Sequence, residues 1–131
     1  MKNCERIFPF IKTYGSLREV LTDHDLASLG DAYINFVYSL ALSNRRGKAS
    51  GAKVKGQALA EALRKAGLRK YLPSRMTSHV LADAAEALIV YGWLRNCIRL
   101  EESVATLEKS DALVDALTQL LSAVKERIKF S

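Results

Sequence analysis

The sequence predicts an all-α protein built as a single helical domain. Three observations point there. Apolar residues recur at helical spacing in several long stretches. Only 2 prolines and 7 glycines interrupt 131 residues. No alternating run reaches the length of a strand. With 49% apolar residues, the chain is long enough to bury one core and too short for two. One domain over residues 1–131 is therefore expected, without an internal repeat or a low-complexity tail.

Two short helices are expected first, over Cys4–Thr13 and Ser16–Leu21. Pro9 burdens the first, because an interior proline removes a donor and kinks a helix. Gly15 separates the two, and Ser16 is placed to cap the second. Asp23 or Asp25 then starts a longer helix reaching about Ser43. A basic loop follows, with flexible glycines at Gly47 and Gly51. The next helix runs from about Lys55 to Ala66 and stops at Gly67. Pro73 and Ser74 break the chain again. A long helix is expected from about Thr77 to Glu101 or beyond, interrupted only by Gly92. The last helix, about Asp111 to Lys129, takes Ser110 as its cap. Its apolar stripe is Leu113, Leu117, Leu120, Leu121, Val124 and Ile128.

Several functional classes are set aside by composition. Lys2, Glu5, Arg6 and Lys12 interrupt the N-terminal apolar residues, so no signal peptide is read there. No segment approaches the roughly 20 apolar residues that span a bilayer. Cys4 and Cys97 form neither a disulfide framework nor a metal-ligand set. Free thiols in a reducing cytoplasm are expected, with Cys97 a small buried hydrophobe on the long helix. Trp93, Tyr91 and Leu94 on that helix read as core or dimer-interface residues.

The net charge of +6 is unevenly placed. Ten basic residues lie between Asn44 and Arg75, with Glu61 the only acid among them. That stretch carries +9 and the remainder −3. Such asymmetry points to a polyanion-facing surface, although a solubilising face has the same signature. Arg45, Arg46, Lys48, Lys53 and Lys55 are the candidates for phosphate contacts.

Two strings place carboxylates in helix-forming apolar stretches: Leu-Gly-Asp-Ala at 29–32 and Ala-Asp-Ala-Ala-Glu-Ala-Leu-Ile at 82–89. At about 100° per residue, Asp31 shares a face with His24, Ser28 and Asn35, opposite Leu29, Tyr33, Phe36 and Leu40. Asp83 and Glu86 are neighbours three residues apart, with His79 one turn before Asp83. If the two helices cross, Asp31, Asp83 and Glu86 converge into a site for a hard divalent cation, Mg²⁺ or Mn²⁺. By spacing alone, carboxylates three apart on a helix are commonplace, and a solvated face is the better reading of that pair. Imidazole does not suit such a site, so His79 reads as a polar neighbour and His24 as a surface or capping residue.

The residues around these acids resemble the ribonuclease III catalytic domain. Leu26–Ala32 reads Leu-Ala-Ser-Leu-Gly-Asp-Ala against the family's Leu-Glu-Phe-Leu-Gly-Asp-Ala. Leu81–Ile89 matches the motif Leu-Ala-Asp-x-x-Glu-Ala-Leu-Ile, and Gly56–Glu61 is similar to the intervening Gly-Asn-x-Leu-Ala-Glu segment. The ordered set covers about Leu26 to Leu94. The resemblance implies a dimeric helical bundle that cleaves double-stranded RNA with Mg²⁺, and places Asp31, Asp83 and Glu86 on acidic metal-binding positions. Double-stranded RNA is read through shape, phosphates and 2′-hydroxyls, which suits a basic, sequence-tolerant surface.

Two departures stand out. Ala27 occupies the position of the family's usual Glu, as in the short forms of the family that consist of the catalytic domain alone, and the preceding acidic position is His24. Val90 replaces the glycine that follows the second motif, with Gly92 two positions on. The expected function is a metal-dependent endoribonuclease acting as a homodimer on double-stranded or structured RNA. The alternatives are a non-catalytic RNA-binding or ribosome-associated protein with the same fold, and a helical interaction module.

Overall fold

The most apolar stretch of the sequence becomes the centre of the fold. In a computed structural model, which describes residues 8–130, six α-helices assemble around one of them. They are α1 (Leu17–Leu21), α2 (His24–Arg46), α3 (Gly56–Lys65), α4 (Ser78–Leu94), α5 (Leu100–Glu108) and α6 (Leu113–Arg127), with a 3₁₀ turn at Arg69–Tyr71 between α3 and α4. No strand occurs among the described residues, so the molecule is all-α. Among the described residues, no helix is long and apolar enough to cross a membrane.

Helix α4 is apolar nearly all round, and a helix of that kind has to be enclosed. It is: every residue from Ala84 to Gly92 is buried. Helices α1, α2, α3 and α6 all pack on it, and α2 makes the most extensive contact. Thr77 caps its N-terminus, accepting from the Val80 amide at 3.2 Å. Helix α5 joins α2 to α6, where Arg127 grips Glu102 through two bonds of 2.9 and 2.7 Å.

Most expected elements are present, with instructive differences. Ser16 caps α1 and Asp23 caps α2, their side chains accepting from the amides of Glu19 and Leu26. Of the expected Cys4–Thr13 helix, residues 8–13 are not helical, with a turn at Pro9 and Phe10; residues 4–7 lie outside the described range. Proline's missing donor accounts for the local failure. Helix α2 runs on to Arg46 and is closed by Gly47 at φ 73°. Ser110 does not cap α6: its hydroxyl accepts from Ala112, ahead of the helix.

The long helix expected from Thr77 to Glu101 is two helices, and Gly92 does not mark the break. Asn96 does, at φ 60°. The Cys97 amide reaches back to the Gly92 carbonyl at 2.8 Å and Asn96 to Trp93 at 3.0 Å. That pair of bonds is a Schellman cap, with asparagine in the left-handed position that glycine usually fills. Cys97 therefore sits beyond α4 and half-buried, not inside the helix. Gly92 instead admits α6, since a Cβ there would meet Val124 Cγ1 at 2.6 Å. Tyr91 and Leu94 are buried, and Trp93 stacks on Tyr33 with ring centroids 5.1 Å apart.

One face of α2 differs from its expected pattern. Leu26, Ala27, Gly30, Tyr33, Ile34, Val37 and Ala41 are its buried residues. Leu29 and Phe36, assigned to the apolar side, are exposed at 38% and 54%. A stripe wider than the contact with α4 leaves these two outside the core.

Candidate active site

A close approach of two helices creates the acidic cleft. Gly30 of α2 lies against the main chain of Glu86 on α4, where a side chain has no room. The following residue, Asp31, is thereby brought beside Glu86. The cleft, about 400 Å³ in volume, is lined by Asp31, Asp83 and Glu86 together with His24, His79 and Lys53. All three predicted acids thus share one cavity. Ala27, Val54 and Ala82 supply apolar wall, so the departure at Ala27 falls on the cleft itself.

The three carboxylates stand in different surroundings. Asp31 is exposed and accepts from the Asn35 amide at 3.1 Å. Asp83 faces His79, with Nε2 3.7 Å from its carboxylate. Glu86 is only 8% exposed. Burial pushes its pKa up to about 8, helped by a hydrogen bond with Asp31 and the charges of Asp31 and Asp83, against the opposing pull of Lys53.

A buried carboxyl facing two others is electrostatically incomplete, and its donor chemistry suits a hard divalent cation. Among the described residues, however, no group of three or more His, Cys, Asp or Glu side chains is already set around a common point. Asp31 is turned toward Asn35 and Glu86, and Asp83 toward His79.

The basic segment beside the cleft is held, not loose. Asn35, Ser39 and Ser43 form a row at four-residue intervals along α2, one face of the helix. Each bonds to the main chain of every second residue of the facing segment. The Val54 amide donates to Asn35 Oδ1 at 2.7 Å, Ala52 to Ser39 Oγ at 2.9 Å and Ser50 to Ser43 Oγ at 2.8 Å. The Ser39 hydroxyl donates back to the Ala52 carbonyl at 3.1 Å, while that of Ser43 has the Ser39 carbonyl at 2.7 Å and the Ser50 carbonyl at 3.1 Å within reach. Lys53, between the anchored residues, lines the cleft. The expectation of a flexible Gly51 loop is corrected by this lacing. The sequence reading placed Asn35 beside Asp31 but missed its second bond; the row 35, 39, 43 was the available signal.

The five predicted phosphate-contact residues are dispersed. Lys53 lines the cleft, and Lys55 precedes the first turn of α3 and is exposed. Arg46 and Lys48 are exposed on either side of Gly47. Arg45 is engaged elsewhere. Its guanidinium donates to the carbonyls of Glu108 and Ser110 at 2.7 Å each, closing the end of α5, and faces Asp111 at 3.7 Å. His24 lines the cleft, while the capping role on its helix belongs to Asp23.

A family model described as Ribonuclease III matches residues 24–130. The chain belongs to the ribonuclease III family. The match takes in α2 through α6, and with them every residue lining the acidic cleft. A comparison with curated proteins returns no match. Family membership accounts for the ordered motifs: Gly30-Asp31 on α2 and Asp83–Glu86 on α4 are the two strings that meet in the cleft of this ribonuclease III domain.

Proposed function

We propose that the protein is a metal-dependent endoribonuclease that hydrolyses phosphodiester bonds in double-stranded or structured RNA. The observation that carries this reading is the convergence of Asp31, Asp83 and buried Glu86 in one cleft of a ribonuclease III domain. In this reading those three side chains hold Mg²⁺ or Mn²⁺. The ion supplies Lewis acidity and a lowered pKa for bound water. Asn35 orients Asp31, and Lys53 offers a cation to the phosphate beside the acids. Lys55, Arg46 and Lys48 extend the positive surface, while Arg45 secures α5.

The same proposal includes a homodimer. Phe10 and Leu29 line a groove with Ile11, Tyr14, Leu26 and Leu94, and Phe36 lies two turns along α2 from Leu29. Phe10 is 60% exposed. An apolar patch of this kind is the surface that a second copy would cover.

A second reading, a non-catalytic RNA-binding protein that retains the fold, is favoured by one observation. Ala27 puts a methyl group on the cleft wall where the resemblance places a carboxylate. Asp31→Asn separates the two. In the nuclease reading this variant binds double-stranded RNA as the wild type does in EDTA, yet cleaves it at least about 100-fold more slowly with Mg²⁺. A wild type that binds but never cuts turns the assignment to the non-catalytic protein.

A further inference from the structure

The basic stretch between Asn44 and Arg75 divides in space. Lys53 lines the cleft and Lys55 precedes α3, whereas Arg64 and Lys65 close the other end of that helix. Ten helical residues rise about 15 Å. Beyond α3, the 3₁₀ turn carries Arg69, Lys70 and Tyr71. Charges from three different elements converge on Tyr71. The Lys70 ammonium lies 5.5 Å from its ring centroid, and Lys125, from the last turns of α6, lies 5.4 Å from it. Arg18 of α1 donates to the Tyr71 carbonyl at 3.0 Å.

Among the described residues, none of these three cations makes a salt bridge. Lys65, by contrast, is paired with Asp115 at 3.5 Å. The ring's electron-rich face attracts each ammonium, but two ammonium groups sharing one ring repel each other. Among the described residues, Lys70 and Lys125 thus stand as two cations without an ionic partner about one ring. Arg18 and Lys125 lie outside the basic stretch of the sequence, so folding enlarges the positive surface beyond what the sequence reading counted. None of the three residues lines the acidic cleft.

We infer that the Lys70–Tyr71–Lys125 cluster, with Arg18 beside it, is a second contact surface for the phosphate backbone of duplex RNA, at the far end of α3 from the acidic cleft. The inference rests on the RNA-directed reading above. Binding there is electrostatic and independent of base sequence. It supplies affinity from within the helical domain and leaves the cleavage chemistry to the acids.

The test is the affinity of the full chain for a 30-base-pair RNA duplex, titrated in EDTA from low to physiological salt. The Lys70→Gln/Lys125→Gln double variant is compared with Lys109→Gln/Lys129→Gln, which removes the same charge from exposed positions elsewhere. The cluster variant is expected to bind on the order of tenfold more weakly, with the salt slope reduced by about 2, one for each lost phosphate contact. The control pair is expected to lie within about twofold of wild type. Unchanged affinity and slope in the cluster variant overturns the inference while leaving the nuclease reading in place. Equal losses in both pairs overturn it too, because the effect is then bulk charge. A wild type that does not bind the duplex overturns the inference and the RNA-directed reading together.

Discussion

Gly30 lies against the backbone carbonyl of Glu86, with a Cβ on Gly30 falling inside the contact distance of main-chain atoms. That single approach sets the spacing of α2 and α4 and puts Asp31 beside Glu86. Gly30→Ala therefore forces the two helices apart. The expected loss is about 3 kcal/mol of stability in urea denaturation, since main chain yields less readily than a side-chain tip. Gly92→Ala has the Val124 side chain as its nearest obstacle, not main chain, and is expected to cost less. Combined with Val124→Ala, its cost shrinks below the sum of the single variants. Equal costs for Gly30→Ala and Gly92→Ala would remove the special role assigned to the α2–α4 approach.

Asn35 joins the same cleft to the basic segment, bonding both Asp31 and the Val54 amide. Asn35→Ala is expected to lower the rate of RNA cleavage about tenfold, with the Val54 amide exchanging its hydrogen faster. Binding of the duplex in EDTA changes much less, because the lysines remain. Slower cleavage without faster exchange at Val54 would mean that the loop is not anchored through this amide.

The Glu86 carboxyl gives the protein a pH dependence of known sign. Its folded pKa is raised from 4.5 to about 8. The native state thus binds more protons than the unfolded chain between these values, and stability falls as pH rises through that window. Glu86→Gln removes this contribution, so its Tm is expected to exceed that of the wild type in EDTA at pH 8. Added Mg²⁺ raises the wild-type Tm at that pH and leaves the variant nearly unchanged. A wild-type Tm that rises from pH 5 to pH 8 in EDTA while Glu86→Gln stays flat runs against the assignment.

Arg45 offers a contrast between charge and contact. Its guanidinium closes α5 through the Glu108 and Ser110 carbonyls, so Arg45→Ala is expected to cost about 1–3 kcal/mol in stability. Its effect on the salt slope of RNA binding is small. Lys53→Ala shows the reverse: near-normal stability and weaker RNA binding. A large change in slope for Arg45→Ala would restore it as a phosphate contact.

The fold was legible where local chemistry decides. Ser16 and Asp23 cap the helices they precede, Gly67 at φ 76° ends α3, and the apolar run after Ala82 becomes the central helix. Spacing put Asp31 on one helix face and Asp83 beside Glu86 on another, the motif resemblance singled the three out, and the fold brings them to one cleft. What escaped depends on tertiary context. Asn96 breaks the long helix through a left-handed cap that any of several residues could have supplied. Phe36 looks like core by period, yet lies beyond the contact with α4. Arg45 reads as one more loop cation until α5 is folded against α2, and the charge of Lys125 joins Tyr71 only through packing of distant helices.

The measurement that bears most directly on the acidic cleft is cleavage of long double-stranded RNA by the purified protein. It is run with Mg²⁺ and with EDTA, beside Glu86→Ala. Fragments that require Mg²⁺ and vanish in the variant are the predicted result. Fragments that persist in EDTA, or that Glu86→Ala produces at the wild-type rate, contradict the assignment of Asp31, Asp83 and Glu86 as the metal-holding site.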